Sequence, residues 1–179
     1  MPVKDNKFLE KEDVVLRPLE LDDAEFLQEL TIHEDVRPYL GRKPMPVNLQ
    51  EEREYIREQT EDKNYVHFLI EYNGEKTGHI FLGGLEKDFG RTSVGYSIHP
   101  GFHGQGICTK ALKLVTKYTF ETLNRHKIRG AYLEGNEASR KVMEKAGFTE
   151  EGLEREYKYV DDTWKDAHWM SILEDEYYE

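Results

Sequence analysis

The hydrophobic residues of this chain recur with two periods, and the period separates predicted strands from predicted helices. Alternating apolar and polar residues, or short runs rich in β-branched and aromatic residues, predict strands. The seven predicted strands are VVLRP (14–18), YVHFLIEY (65–72), KTGHIFLGGLE (76–86), TSVGYSIH (92–99), HKIRGAYL (126–133), LEREYKYV (153–160) and WKDAHWMSIL (164–173). A helical period predicts LDDAEFLQELTIH (21–33), NLQEEREYIREQTE (48–61), KALKLVTKYTFETL (110–123) and NEASRKVMEKAG (136–147) as helices.

Turn and capping residues mark the ends of these segments. Asn73-Gly74 suits the positive φ angles of a tight hairpin, and Asp161-Asp162 marks the turn of a last hairpin. Asn48 is the predicted N-cap of the second helix. The order is one strand, two helices, three strands, then helix, strand, helix and two strands. An antiparallel meander followed by a strand–helix–strand crossover predicts an α/β (α+β) fold with a mixed sheet.

Composition narrows the class of protein. The 179 residues predict a single domain, 1–179. With 25 Lys+Arg against 36 Asp+Glu, the formal charge of −11 argues against nucleic acid and favours a cationic partner. No apolar run approaches a membrane span, and the opening MPVKDNKFLEKED has no apolar signal region, so we expect neither a membrane protein nor a secreted one. The single cysteine, Cys108, suits a reducing, intracellular setting.

A glycine-dense loop separates the third meander strand from the next helix. In HPGFHGQGICTKAL (99–112), the glycines are Gly101, Gly104 and Gly106. Successive backbone amides in such a loop, completed by a helix N-terminus, form a donor surface for phosphate. A tight turn without any ligand is the alternative. The loop lacks the Gly-Lys-Ser/Thr of a P-loop and the third glycine of a dinucleotide fingerprint.

Three segments together resemble the GCN5-related N-acetyltransferases (GNAT), in particular the branch of ribosomal-protein N-terminal and spermidine acetyltransferases. They are SIHPGFHGQGICTKAL, GNEASRKVMEKAGF and GLEREYKYVDDTWKDAHWMSIL. The resemblance runs from VVLRPLELDDAEFL to the last strand. It implies a mixed, mostly antiparallel sheet of about six to seven strands with flanking helices and a splayed parallel pair. It also implies a cytoplasmic enzyme that uses acetyl-CoA and no metal.

The resemblance assigns a cofactor site to this sequence. The family's loop pattern, Gln/Arg-x-x-Gly-x-Gly/Ala, falls on residues 103–108, with His103 and Cys108 as departures. Its amides would hold the pyrophosphate, while the preceding strand and Asn136, at the start of the predicted helix 136–147, would hold the pantetheine arm. The implied cofactor-binding residues are Ser97, Ile98, His99, His103, Gly104, Gln105, Gly106, Ile107, Cys108, Thr109 and Asn136. Without the resemblance, Ser97 and His99 are ordinary strand residues and Asn136 is a helix N-cap.

Ser139 is the candidate acid. It lies one helical turn after Asn136, and in the N-terminal acetyltransferase branch the serine at this position is credited with protonating the departing thiolate. Many other members use a tyrosine seven residues after the asparagine, where this chain has Met143. The alternative is a polar first-turn residue that makes a local hydrogen bond.

The base is harder to identify. Some relatives carry a glutamate five residues before the asparagine, and this chain has Ala131 there. A second family position for a carboxylate aligns with Lys158. Glu156 lies two residues earlier, on the same face if the strand is regular, and is the hypothesis for the proton acceptor. Glu71 and His79 are held in reserve, and a solvated strand residue is the alternative for Glu156.

The implied reaction is direct acetyl transfer to a cationic primary amine, without a covalent enzyme intermediate; a Cys108 nucleophile is disfavoured. The expected acceptor is a protein N-terminal α-amine, and the alternatives are a polyamine, an aminoglycoside-type amine or a noncatalytic acetyl-CoA sensor. A homodimer is a further expectation. Aromatic residues of the last hairpin are assigned to the core or sheet surface, and some are candidates to frame the acceptor pocket with RPYLGRKPMP. They are Tyr157, Tyr159, Trp164 and Trp169.

Overall fold

The computed structural model describes residues 6–42, 45–86 and 90–179. The strands are β1 (Leu9–Lys11), β2 (Val14–Pro18), β3 (Tyr65–Tyr72), β4 (Glu75–Gly83), β5 (Arg91–Ile98), β6 (Lys127–Leu133), β7 (Thr149–Val160) and β8 (Thr163–Leu173). The α-helices are α1 (Ala24–Ile32), α2 (Leu49–Glu61), α3 (Ile107–Glu121), α4 (Glu137–Lys145) and α5 (Glu174–Tyr178). Short 3-10 turns occupy Leu21–Asp23, Arg37–Tyr39 and Pro100–Phe102.

All eight strands form one sheet in the order β1-β2-β3-β4-β5-β6-β8-β7. Every neighbouring pair is antiparallel except β5 and β6, which are parallel. The parallel pair needs a crossover connection, and the glycine loop with α3 supplies it. This arrangement places the glycine loop at the carboxyl end of β5, beside the only parallel junction in the described sheet.

Each face of the sheet carries its own apolar core because successive strand residues point to opposite faces. Phe68 and Leu69 are neighbours in β3, yet Phe68 packs in the core beneath α3 and α4 while Leu69 packs beneath α1 and α2. We call these two sides the α3–α4 face and the α1–α2 face. Both side chains are almost fully buried, at 1% and 0% exposure, so truncating either to alanine is expected to cost about 2–5 kcal/mol.

The seven predicted strands and four predicted helices are all present. Asn48 caps α2 through a capping box with Glu51, as predicted. The sheet nevertheless has eight strands, not six to seven, because the three-residue β1 is too short to show a period; the five-residue α5 was missed for the same reason. Helix α3 begins three residues before its predicted start. Within the predicted loop RPYLGRKPMPV, residues 43–44 lie outside the described residues, as do residues 1–5 of the opening segment.

No helix among the described residues combines the length and apolar character needed to cross a lipid bilayer.

Candidate active site

The parallel strands β5 and β6 pair over three residues and then separate. The pairs are Arg91–Lys127, Thr92–Ile128 and Ser93–Arg129. Both strands continue beyond Ser93 and Arg129 without pairing to each other. A gap therefore opens between the carboxyl halves of the two strands, and we call it the splay.

Along β5, some peptide groups point toward β4 and others point toward the splay. His99 N–H donates to the Thr77 carbonyl of β4 at 2.8 Å. Because hydrogen-bonding direction alternates along a strand, the peptide groups of Ser97 also face β4 and those of Ile98 face the splay. The close approach of β4 supports this orientation, since a Cβ at Gly78 would lie 2.4 Å from the Ser97 carbonyl oxygen. Of the three predicted wall residues, Ile98 alone offers its backbone to the gap.

The glycine loop presents a run of unpaired amides. The six N–H groups from Gly104 to Thr109 make no hydrogen bond to any part of the chain that the structure describes. The first amide of this region to be paired is that of Lys110, which donates to the Gly106 carbonyl at 3.1 Å. Gly104 and Gly106 have φ angles of 77° and 75°, which L side chains rarely adopt. Such a row of donors at a helix N-terminus is suited to binding a phosphate or pyrophosphate.

Two histidines lie at the mouth of the splay with different partners. His103 Nε2 is 3.0 Å from the Ile98 carbonyl oxygen, so this nitrogen carries the proton and donates. His99 Nδ1 accepts from the Gly101 amide at 3.2 Å, and its Nε2 lies 3.6 Å from Glu29. His103 therefore folds back over the end of β5, whereas His99 points toward α1.

Ser139 lies opposite the splayed half of β5. Its hydroxyl oxygen is 2.9 Å from the phenolic oxygen of Tyr96, and its amide donates to Asn136 Oδ1 at 3.2 Å. Asn136 is thus an N-cap of α4. Burial raises the pKa of Tyr96 well above its ordinary value, so the phenol keeps its proton. The pair places two exchangeable hydroxyl protons at the splay.

Cys108 faces the core beside this hydroxyl pair. It packs against the core on the α3–α4 face, and burial raises the pKa of its thiol well above its ordinary value. A thiol needs to ionise to act as a nucleophile. Its surroundings therefore disfavour covalent catalysis, in agreement with the direct-transfer expectation.

The premise of the Glu156 hypothesis is wrong, because β7 is not regular at this point. The pairing of β7 with β8 shifts between Glu154 and Lys158, and Glu156 has a φ of 52°. Its backbone amide donates to Asp166 at 2.8 Å, and the residue is exposed. The alternation that would place Glu156 and Lys158 on one face is lost in this bulge.

The two reserve bases have other partners. Glu71 accepts from Arg17 Nε at 2.8 Å. His79 is buried, and its Nε2 lies 3.0 Å from Nδ1 of His67. Burial lowers the pKa of His79 to about 3 and that of His67 to about 4, so both imidazoles are neutral near pH 7. Neither Glu71 nor His79 is poised as a strong base.

Lys158 joins the last hairpin to the loop between α1 and α2. Its ammonium donates to the Pro38 carbonyl at 2.9 Å and to the Leu40 carbonyl. Burial lowers its pKa. The same loop carries Arg42, which forms a bidentate ion pair with the fully buried Glu52 at 2.8 and 3.0 Å. Cations thus fix this loop over the α1–α2 face.

Two functional candidates were missed by sequence reasoning. Tyr96 was identified from the sequence only as part of the predicted strand TSVGYSIH (92–99). A tyrosine at the inward position of a strand needs a partner for its hydroxyl, and that requirement is a usable signal. Lys158 was noted only as an aligned position, because no local pattern predicts a contact with residues about 120 positions earlier in the chain.

The comparisons with known proteins agree with this geometry. The family described as "Acetyltransferase (GNAT) domain" matches residues 13–149. The chain is 34% identical over 172 residues to the "Putative ribosomal N-acetyltransferase YdaF" of Bacillus subtilis (strain 168), covering 93% of this chain and 94% of that protein. It is 27% identical over 164 residues to the spermidine N(1)-acetyltransferase of Escherichia coli (strain K12), covering 92% and 88%.

A solved structure shows the same fold. The spermidine N-acetyltransferase of Vibrio cholerae, in complex with CoA and spermine, superposes with a TM-score of 0.86 at 23% identity. The match covers 94% of this chain and all of that one. At this identity the likeness concerns the arrangement of the backbone.

Proposed function

This chain belongs to the GNAT acetyltransferase family and is an acetyl-CoA-dependent N-acetyltransferase, and we propose that its acceptor is the α-amine at the N-terminus of a protein. The observation that carries this choice is the charge of the α1–α2 face beside the splay. Arg91 and Arg129 make no ion pair with any residue that the structure describes. Glu52 is bound by Arg42. Beside the paired half of β5 and β6, that face therefore offers two guanidinium groups and a neutralised buried carboxylate, while the exposed Glu29 lies next to His99 at the mouth of the splay.

A polyamine would be poorly served by such a face. It carries several ammonium groups, and each needs a carboxylate or a comparable acceptor when it leaves water. An N-terminal peptide presents one amine, and its ordinary pKa near ~8 makes deprotonation by solvent easier than for an alkylamine near ~10. An α-amine therefore needs no strong base. This agrees with the structure, in which Glu71 is paired with Arg17 and His79 is buried against His67. The ribosomal function in the name of the Bacillus subtilis relative supports the same acceptor.

The cofactor is assigned to the splay and the glycine loop. The unpaired amides from Gly104 to Thr109 would bind its pyrophosphate, and the pantetheine arm would lie in the splay and pair with the peptide groups of Ile98. For this pairing, His103 would have to release its hydrogen bond to the Ile98 carbonyl or share that acceptor with the pantetheine arm. Asn136 lies at the other wall, at the start of α4.

Acetyl transfer then needs three events at the thioester. The amine nitrogen forms a bond to the carbonyl carbon, the carbon–sulfur bond breaks, and the amine loses a proton to water. The Ile98 N–H faces the splay and is placed to stabilise the oxyanion. Ser139, hydrogen-bonded to Tyr96, would donate a proton to the departing thiolate and recover it from Tyr96 or solvent.

The test is acceptor choice. Release of coenzyme A is measured with free N-terminal peptides, with the same peptides N-acetylated but carrying an internal lysine, with spermidine and with an aminoglycoside. Mass spectrometry then locates the acetyl group. We expect turnover on the free N-terminal peptides and loss of that turnover when the α-amine is blocked. Turnover confined to spermidine or the aminoglycoside would overturn the proposal. The cytoplasmic location and the homodimer stay predictions.

A further inference from the structure

A second concavity lies on the α1–α2 face, where β5 and β6 are still paired. It is a cavity of about 170 Å³ lined by Asn64, Tyr65, Gly83, Gly84, Arg91, Ser93 and Arg129. Ser93 and Arg129 are direct partners in the parallel pair and form its floor. The cavity is therefore built on the paired part of the junction that leads into the splay.

The lining is cationic in a chain of net charge −11. Within the part of the chain that the structure describes, it contains two guanidinium groups and no carboxylate. Among the described residues, neither Arg91 nor Arg129 makes a side-chain hydrogen bond or an ion pair, and Nε of Arg129 is buried without a partner. A buried donor without a partner is costly, and the cost is removed when an acceptor binds. An anion bound in the cavity would give the two guanidinium groups a partner.

Neighbouring groups orient Arg129 without neutralising it. Its guanidinium lies over the Trp169 ring, 4.4 Å from the centroid, and this stacking covers one face of the plane. The charge of Glu151 interacts with that of Arg129, but its hydrogen bonds go to Lys127 and Ser171. A planar guanidinium held by stacking is suited to bidentate recognition of a carboxylate.

The spacing from the splay matches a short extended peptide. Ser93 precedes Tyr96 by three residues, which is about 10 Å along a strand. The ring of Phe81 lies against Gly95 between these points, so the floor of the path is apolar. A peptide with its α-amine at the splay, running along β5 at about 3.3 Å per residue, reaches the cavity with its third or fourth residue.

We propose that this cavity binds a carboxylate, supplied by an acidic side chain at the third or fourth residue of the acceptor. This inference rests on the proposed α-amine function and specifies its substrate. Arg129 and Arg91 bind the carboxylate, with the Ser93 hydroxyl as a further donor. The site selects protein N-termini that carry Asp or Glu close behind the reacting amine.

The first test is substrate discrimination. Matched peptides carry Glu or Gln at the third or fourth residue, and we expect kcat/KM to be roughly tenfold higher for Glu, mainly through KM. Arg129→Gln removes this preference and retains turnover of the Gln peptide. Arg91→Gln, at an exposed position, provides a second variant if loss of the Trp169 contact impairs folding. Arg53→Gln, exposed on α2, is the control with the same charge change and keeps the preference. Equal kcat/KM for Glu and Gln peptides would overturn the proposal.

The second test separates this inference from the proposed function. Binding of an N-acetylated Glu peptide and of free glutarate is measured by titration calorimetry on wild type and Arg129→Gln, and it requires no turnover. Tighter binding of the Glu peptide than of its Gln counterpart, lost in the variant, supports the site even if the enzyme acetylates another amine. Glutarate binding lost in the variant without any Glu preference would assign the cavity to a free carboxylate and overturn the acceptor role.

Discussion

The phenolic oxygen of Tyr96 lies 2.9 Å from the hydroxyl oxygen of Ser139, and this contact joins the splayed half of β5 to the first turn of α4. The two residues are 43 positions apart and meet only because the glycine loop, α3 and β6 fold between them. Each hydroxyl can be donor or acceptor. The contact therefore couples the group nearest the predicted thiolate to a second proton source.

Removing either hydroxyl is expected to slow acetyl transfer. Ser139→Ala and Tyr96→Phe each lower kcat roughly 10²-fold, a typical contribution of a positioned acid, while KM for acetyl-CoA changes little. The double variant loses less than the product of the two effects because the residues act as a unit. Steady-state release of coenzyme A measures all three. Tyr178→Phe, exposed on α5, is the control. Wild-type kcat in both single variants would exclude the pair from the reaction.

Gly106→Ala is expected to weaken cofactor binding. A side chain at a φ of 75° costs about 1–2 kcal/mol, and relief of that strain turns the amides of the loop away from a common centre. We expect KM for acetyl-CoA to rise roughly tenfold, with KM for the amine nearly constant. Gly152→Ala, which has no positive φ and no atom within 4 Å of the added Cβ, is the matched control. An unchanged acetyl-CoA affinity would show that the loop amides do not hold the pyrophosphate.

Glu156→Gln is expected to leave the pH–rate profile unchanged. The bulge in β7 exposes this carboxylate and removes the regular alternation on which its predicted role depended. The measurement is kcat/KM for a free N-terminal peptide from pH 6 to 9. A shift or loss of the acidic limb in the variant would restore Glu156 as proton acceptor.

Lys158→Gln is expected to weaken acceptor binding. The ammonium holds the carbonyls of Pro38 and Leu40, so its loss releases the loop between α1 and α2 from the last hairpin. KM for the peptide rises several-fold, while KM for acetyl-CoA stays constant because the Lys158 ammonium bonds to neither the glycine loop nor Asn136. Lys141→Gln, exposed on α4, is the control. An equal rise in both KM values would indicate general destabilisation.

The histidine pair predicts how stability depends on pH. Burial lowers the pKa of His67 to about 4 and that of His79 to about 3, whereas both titrate near ~6.5 when the chain is unfolded. As pH falls from 7 toward 4, the two histidines bind protons in the unfolded chain while they stay neutral in the folded chain. The free energy of unfolding therefore falls, by up to about 1.4 kcal/mol per pH unit for each histidine.

The histidine prediction is checked by urea unfolding at pH 7.0 and 5.0. His67→Gln reduces the difference in unfolding free energy between the two pH values, because one depressed group is gone. An unaltered pH dependence in His67→Gln would contradict the lowered pKa.

The fold was predictable to the level of element order because its signals are local. The stripe of α3, the Asn48 cap and the Asp161-Asp162 turn each act within a few residues, and the structure places all three as expected. The short β1 carries too few residues to show a period. Local signals thus identify elements that are long enough to show a hydrophobic period.

The site was predictable only in part, because its chemistry depends on contacts between distant segments. The glycine loop lies at the start of α3, and Asn136 caps α4, as their sequence context indicated. The Tyr96–Ser139 contact and the reach of Lys158 to Pro38 are tertiary and have no local signature. The premise that Glu156 shares a face with Lys158 is wrong because alternation assumes a regular strand, and a bulge breaks it without an obvious residue signal.

The short pairing of β5 with β6 divides the sheet into two parts. Three residue pairs join the part formed by β1–β5 to the part formed by β6, β8 and β7, and α3 packs against both. A pantetheine arm in the splay would supply hydrogen bonds where β5 and β6 do not pair, so that the cosubstrate bridges the two parts of the sheet in the bound enzyme. Slowed amide hydrogen exchange at Ile98 is then a direct readout of occupancy, and saturating acetyl-CoA raises the melting temperature by mass action.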